Sequence, residues 1–511
     1  MYNSGRKIII NSEKLETRVA LLNNNRLEEY QMERKNKDNI VGSVFLGRIA
    51  NIQTSLKAVF VDIGLGGKNA FMHFSDMLPA TYDEINLKKT KKSERRIRPD
   101  DIPELFPVNS MLFVQVTKGS IGTKGPRVTT NIAIPGRYFV LLPYSYHLGI
   151  SRRIDDYKER NRLKKIMLSL PLPKGMGGIC RTVAEGRKSL YFKREINMLL
   201  EEWRKAENIK KKSDKVCLVY QEPSLVEKSM RDFLEEDISE VIIDSTSDYT
   251  YIKDFIAKIV NKRTAAKIKL YRNPTPIFEK YNVEEKISVI FDRQVSLPSG
   301  GYICIDETEA LISIDINTGS TKGEGKNDEV ILQTNTEASE EIARQLRLRN
   351  IGGLVVIDYI DMMNPRHNDI ILKLMRKLLK NDRAKSKILP ISSLGLMQMT
   401  RQREQQSLLD RIYDPCPYCK GSGKVKSPMS ISVEIQRMIK EVLKRRTRSK
   451  DLSVRVIMNP TILTRLKNDD EQFLEELENK YGKDLSFRAD PTLHIEEFQI
   501  IDPETGKELF K

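Results

Sequence analysis

Two stretches constrain this chain more than any other part of it: GYICIDETEALISIDINTGS at 301–320 and IGGLVVIDYIDM at 351–362. Each is an apolar strand that ends in acidic residues, and a helical segment, TEASEEIARQLRLRN, lies between them. Strand alternation puts Ile312, Ile314 and Ile316 on one face and Asp315 and Asn317 on the other. Leu354, Val355, Val356 and Ile357 read as a buried run that delivers Asp358. Carboxylates delivered by buried strands are costly unless their charge is compensated. A hard divalent cation compensates it: Mg²⁺ takes one or two carboxylates, keeps several waters and accepts a phosphate oxygen. Strand ends of α/β sheets are also where ligands bind. Asp315 and Asp358 are therefore candidate Mg²⁺ ligands, with Asn317 as a polar helper. If the strand continues past Asp358, Asp361 points the opposite way, which makes it the weaker candidate. The plainer reading is a set of strand-end aspartates capping neighbouring turns.

With 511 residues the chain is too long for one core, and about three to five domains are expected. Its formal charge of +17 favours an acidic partner, most commonly nucleic acid, although a lysine-rich proteome alone gives a surplus too. No run of 18 apolar residues is present, which argues against a membrane span. The start, MYNSGRKIIINSEKLETRVALL, does not read as a signal peptide. Five cysteines argue against a disulfide framework and for a reducing compartment.

Residues 1–37 read as a strand, RKIIIN, and a second strand region turning at NNN. The next stretch, NIVGSVFLGRIANIQTSLKAVFVDIGLGGKNAFMHFSDM, has the short alternating strands and glycine turns of a small β-barrel. Val59, Val61, Ala70 and Met72 fall on the inward faces, leaving Phe60 and Phe71 outside as stacking platforms for bases. The opposite assignment of faces fits the pattern as well. A basic insertion at 87–107 reads as a solvated loop, and Lys124 of TKGSIGTKGPR is a phosphate-contact candidate. Within 131–213, GMGGICRTV places Arg181 beside Thr182, a guanidinium and a hydroxyl suited to a terminal phosphate. Residues 214–290 alternate strand and helix as an α/β unit whose sheet the first 37 residues are expected to complete. A paired-carboxylate metal site, a basic chain and a base-stacking barrel together suggest phosphodiester hydrolysis.

DPCPYCKGSG at 414–423 is half of a metal site. Cys416 and Cys419 have knuckle spacing, and structural zinc takes four ligands. Cys180, Cys217 and Cys304 sit in apolar strand-like settings and read as buried thiols. Either the same pair from a second subunit completes a four-thiolate site, or the turn is metal-free.

LPSGGYICIDETEALISIDINTG, EIARQLRLRNIGGLVVIDYIDM and CPYCKGSG, with GTKGPR, GRYFVLLP, GISRRI and GMGGICRTV in the same order, resemble the ribonuclease E/G family over nearly the whole chain. GTKGPRVTTNIAIPGRYFVLLP is most similar to the cyanobacterial and plastid branch. The resemblance implies a multidomain α+β fold. An RNase H-like subdomain (1–37 and 214–290) is split around an OB-fold RNA-binding domain (38–130) and a 5′-sensor region (131–213). A DNase I-like α/β catalytic subdomain (291–411), a zinc link (412–425) and a small C-terminal oligomerisation domain (426–511) follow. The implied activity is Mg²⁺-dependent endonucleolytic cleavage of single-stranded, AU-rich RNA. It leaves 5′-phosphate ends and serves rRNA and tRNA processing and mRNA decay. The family's metal-binding aspartates fall on Asp315 and Asp358 and its assisting asparagine on Asn317. Its OB-fold contacts fall on Phe60, Phe71 and Lys124. Its 5′-monophosphate pocket falls on Gly136, Val140, Arg152, Arg181 and Thr182. A further pocket arginine falls on Lys385, a departure that replaces a bidentate fork by a point charge. The resemblance takes the second half of the Zn²⁺ site from a neighbouring protomer, giving a dimer and, by pairing of dimers, a tetramer. The chain ends at Lys511, so no scaffold tail for a degradosome is expected. The expected compartment is a bacterial cytoplasm or, for a plastid-encoded chain, the chloroplast stroma. Two rival readings are a non-catalytic RNA-binding or assembly factor and a DNA nuclease.

Overall fold

The computed structural model describes residues 5–34, 40–77, 101–120, 125–212, 214–234, 237–260, 262–319, 327–380, 382–402, 407–445, 453–482 and 484–509. It falls into two compact units, 1–409 and 410–511. No helix among the described residues is long and apolar enough to cross a membrane.

The first unit is a mixed α/β assembly of several sheets. Alternation of β-branched residues drives Arg6–Ser12, Glu16–Asn23 and Arg26–Arg34 into an antiparallel meander. Its second turn places Asn24 and Asn25 at φ 46 and 66, where asparagine is tolerated. Ile238–Ile243 and Ile268–Leu270 extend the sheet on the other side of Arg6–Ser12 as parallel strands. The helices Leu225–Phe233 and Thr246–Ile259 cover it, with Met230, Phe233, Ile252 and Ile256 packed on Ile8, Ile10, Val19 and Leu21.

Five strands close into a barrel: Val44–Gln53, Ala58–Asp62, Ala70–His73, Arg127–Thr129 and Met111–Lys118, the last pairing back onto the first. Cys217–Tyr220, which the alternation of 214–290 placed with the α/β unit, instead adds to the outside of Val44–Gln53. A four-stranded sheet follows, in the order Leu148–Ile150, Gly177–Cys180, Phe139–Leu142, Ile134–Pro135. It rests on the helix Ser189–Lys212 through Phe192, Ile196 and Trp203, all wholly buried.

The acidic strands belong to a six-stranded sheet ordered Gln294–Ser296, Tyr302–Glu307, Leu311–Asn317, Gly353–Asp358, Leu396–Arg401, Ser386–Ile388. Ile312, Ile314, Ile316, Val355, Ile357, Met397 and Met399 face the helices Asn327–Leu348 and Pro365–Lys380 and form the core. The opposite face is open. Leu354 is accordingly 41% exposed rather than part of a buried run, because helices cover one side of this sheet only. The same asymmetry corrects the cysteines: Cys180 is buried, but Cys304 is half-buried on the open face and Cys217 half-buried on the barrel-flanking strand.

The second unit is a three-stranded sheet, with Val454–Met458 between parallel Leu485–Ala489 and antiparallel Phe498–Ile501. The helix Pro428–Arg445 lies on it through Ile431, Ile435, Ile439 and Val442.

A buried ion pair fixes the far edge of the six-stranded sheet. Arg401 Nε donates to Asp382 Oδ2 at 2.8 Å and a terminal nitrogen donates to Oδ1 at 3.0 Å. The two side chains are 5% and 1% exposed, so neither charge can fall back on water. The guanidinium of Arg153, from the strand-rich region before it, donates to the backbone carbonyls of Asp382 and Arg383. Removing one partner strands the other charge. Asp382→Ala is expected to lower the local stability of the Leu396–Arg401 strand by about 3–5 kcal/mol, read from native-state hydrogen exchange of its amides. A change below about 1 kcal/mol would show that the pair behaves as a solvated one.

Candidate active site and nucleic-acid interface

Leu311–Asn317 and Gly353–Asp358 run parallel, with Asp315 directly opposite Asp358. Both side chains stand on the open face and are exposed. Asn317, two residues along the same face, donates its amide to Asp315 Oδ2 at 2.6 Å. Strand alternation and the register thus bring the three predicted residues together. Burial, then the neighbouring Asp315 and Asp361 carboxylates, raise the Asp358 carboxyl above its usual range. Among the described residues no basic side chain stands among the causes of that shift.

Asp361 is closer to this group than the strand extrapolation allowed. The strand stops at Asp358, and the chain turns. Gly395, at φ +76, lets the opposing turn approach: a Cβ there would lie 3.1 Å from Asp361 Oδ1. The turn is held from below by Asn335, wholly buried on the helix Asn327–Leu348. Asn335 Nδ2 donates to the Ile360 carbonyl at 2.9 Å, and the Ile360 N–H donates back to Oδ1 at 3.3 Å. Ser339 meets the buried Tyr359 hydroxyl at 2.9 Å. Sequence reasoning missed Asn335. It shares its buried helix face with the polar Thr334, Ser339 and Gln345, so nothing local singles it out.

Among the described residues no cluster of three or more His, Cys, Asp or Glu side chains could hold a metal by itself. The Asp315–Asp358 pair still fits a hydrated hard cation: two oxygen donors stand abreast on an exposed face, and the positive charge that Asp315 feels, from Arg293, is already ion-paired with Asp306.

On the barrel, Phe60 and Phe71 are cross-strand partners with ring centroids 6.0 Å apart, edge to face. Val59, Val61, Ala70 and Met72 are wholly buried on the inner face, so the two rings point outward. Arg127, not singled out from sequence, pairs in register with Phe71 and salt-bridges Asp76 at 2.8 Å. Lys124 and residues 87–100 of the basic insertion lie outside the described residues. Gly125 abuts the Asn69 carbonyl, one residue before the Phe71 strand, so tightly that a Cβ would lie 2.1 Å from it.

The predicted phosphate pocket is assembled by the four-stranded sheet. Val140 pairs with Ile179 and Pro135, and the Arg181 N–H donates to the Tyr138 carbonyl at 2.8 Å. Ser151, just before Arg152, donates its N–H to the Cys180 carbonyl at 2.9 Å, and its hydroxyl lies 3.1 Å from that of Thr182. Gly136, Val140, Arg152, Arg181 and Thr182 are therefore neighbours. Beneath them Glu195, unnoticed in the sequence, accepts N–H donors from Arg137, Tyr138 and Phe139 and fixes the Gly136 turn. Burial pushes its carboxyl up to about 7 against those donors. Lys385 instead lines a basic hollow with Arg153, Arg376 and Lys380.

In the second unit the backbone N–H groups of Gly423 and Gly421 converge on the Cys419 thiol and, with Cys416, hold it below the usual thiol range. Thiols gathered under backbone donors suit a soft metal. His494 lies beside the turn, its ring 4.1 Å from that of Tyr418, but its Nε2 is engaged at 2.6 Å with the Tyr418 carbonyl.

Residues 133–404 match the family model described as Ribonuclease E/G family, and residues 415–504 match that described as RNase E/G, Thioredoxin-like domain. The chain is 36% identical over 495 residues to ribonuclease G of Escherichia coli K12, covering 97% of this chain and 99% of that protein. It is 35% identical over 499 residues to ribonuclease G of Haemophilus influenzae, with the same coverages of 97% and 99%. It is 34% identical over 507 residues to ribonuclease E of Haemophilus influenzae, covering 99% of this chain but only 53% of that longer protein. The chain belongs to the ribonuclease E/G family.

Proposed function

We propose that this chain is a Mg²⁺-dependent endoribonuclease that cuts single-stranded, AU-rich RNA and leaves 5′-phosphate ends, in rRNA and tRNA precursor processing and mRNA decay. The observation that carries the reading is the in-register pair Asp315 and Asp358 on the open face of the sheet, with Asn317 bonded to Asp315. Mg²⁺ held by the two carboxylates would neutralise the scissile phosphate and acidify a water. Asn317 restrains the Asp315 carboxylate, and Asn335 holds the turn that carries Asp361. Phe60 and Phe71 offer outward rings for bases, Arg127, in register with Phe71, offers a cation for phosphate, and Lys124 is the further phosphate-contact residue of this reading. Gly136, Val140, Arg152, Arg181 and Thr182 form the pocket for a 5′-monophosphate.

The finer architecture follows the same reading. The three-stranded meander continued by two parallel strands supports an RNase H-like subdomain, and the one-faced six-stranded sheet supports a DNase I-like one. The closed barrel is consistent with an OB-fold. The paired thiols of Cys416 and Cys419 support a Zn²⁺ shared between two protomers, and through it a dimer and a dimer of dimers. In a bacterium the enzyme acts in the cytoplasm; encoded by a plastid genome, it acts in the chloroplast stroma.

Asp358→Asn keeps size and removes charge. It is expected to lower Mg²⁺-dependent cleavage by at least about 10²-fold, the scale of losing one electrostatic group at a reacting centre, while RNA affinity in a gel-shift assay stays near wild type. Loss of binding together with cleavage would assign Asp358 to the fold instead, and unchanged cleavage would favour an RNA-binding factor. Zinc analysis of the purified chain is expected to give about one metal per two protomers, with dissociation on chelation. One zinc per protomer would contradict a shared site.

A further inference from the structure

Arg181 does not reach its pocket unsupported. One terminal nitrogen donates to the Gly136 carbonyl at 2.8 Å, and the other donates to Asp232 Oδ1 at 2.8 Å. Two of the five guanidinium donors are thereby engaged, one at each end of the fork, and the plane of the group is set before any ligand arrives. Asp232 comes from the helix Leu225–Phe233, which covers the five-stranded sheet rather than the sheet of the pocket. Its side chain is only 13% exposed. The same carboxylate lies 3.3 Å from Arg231 Nε and 3.6 Å from an Arg383 terminal nitrogen.

The charges around Asp232 explain why it stays ionised. Burial opposes its charge, but Arg231, Arg383 and Arg181 outweigh burial and hold the carboxyl at about 2. Arg231 also meets Glu222 at 3.7 Å, and Arg383 meets Glu29 at 3.8 Å while lying over the Phe233 ring at 4.1 Å. Arg383 stands two residues before Lys385 on the segment leading into the outer strand of the six-stranded sheet. One carboxylate thus binds guanidiniums from the pocket, from its own helix and from the catalytic part of the chain.

We propose that Asp232 is a positioning residue for recognition of the RNA 5′ end: it aims the Arg181 guanidinium at the terminal phosphate and ties the pocket to the Arg383–Lys385 segment. The proposal rests on the reading of Gly136, Val140, Arg152, Arg181 and Thr182 as a 5′-monophosphate site. An arginine fixed at two points loses less freedom when it binds, so its advantage falls on the phosphorylated substrate alone.

The test compares cleavage of one oligoribonucleotide carrying a 5′-monophosphate with the same oligomer carrying a 5′-hydroxyl, in the full-length chain. Taking the ratio of the two rates within each preparation cancels any loss of folded enzyme. Arg181→Gln is expected to bring the ratio close to one. Asp232→Ala is expected to lower it about tenfold, the scale of one charge-assisted hydrogen bond, chiefly through KM for the phosphorylated oligomer. Asp232→Glu is expected to restore most of it. Should Asp232→Ala not fold, Asp232→Asn is read on the same scale. A ratio that collapses in Arg181→Gln but holds in the Asp232 variants overturns the positioning role while leaving the pocket intact. A ratio indifferent to Arg181 overturns the pocket reading and this proposal with it.

Discussion

Two like charges held abreast are the constraint on which the candidate site depends. Parallel pairing of Leu311–Asn317 with Gly353–Asp358 sets Asp315 against Asp358, and a one-residue slip would turn one of them into the helix-covered core. Neighbouring carboxylates resist ionising together, and Asp361 adds a second repulsion on Asp358. The fold therefore has to be stabilised elsewhere. That stabilisation is the apolar face of the same strands, packed on two long helices. In the proposed reaction a bound divalent cation would relieve that repulsion.

Long-range polar contacts hold the surrounding pieces in place. Arg401 and Asp382 pin the edge of the six-stranded sheet, and Arg153 reaches the Asp382 and Arg383 carbonyls from the pocket side. On the opposite flank, Glu341 of the helix Asn327–Leu348 binds Arg26 of the meander at 2.6 Å. Half-buried groups that span subdomains in this way are specific about geometry, because each leaves an uncompensated charge if its partner moves. Such contacts, rather than one continuous core, join the four-stranded sheet and its flanking helix to the six-stranded sheet that carries the carboxylate pair.

What could be read from sequence was whatever has a local period. Alternation assigned Val59, Val61, Ala70 and Met72 to the inside of the barrel and Ile312, Ile314 and Ile316 to the core of the acidic sheet. Spacing alone singled out Cys416 and Cys419. The family resemblance placed residues in roles but carried no geometry. Leu354 was misjudged because a run of four apolar residues does not reveal that one face of a sheet is uncovered. The position of Asp361 could not be read from alternation because the strand ends at Asp358, where Asn335 bonds the backbone of the following turn from a helix. Glu195 and Asp232 were invisible for the same reason: apart from Arg231 beside Asp232, their partners in these contacts lie 51 or more residues away in the chain, and nothing local marks them.

The central claim is that Asp315 and Asp358 together hold a divalent cation. Mn²⁺ reports on such a site directly, because its electron paramagnetic resonance signal broadens when it leaves bulk water for protein oxygen ligands. Titrated into the full-length chain without RNA, Mn²⁺ is expected to fill one site that Mg²⁺ displaces, and Asp315→Asn is expected to abolish it with the zinc content unchanged. Mn²⁺ binding of equal strength in wild type and Asp315→Asn would contradict the account.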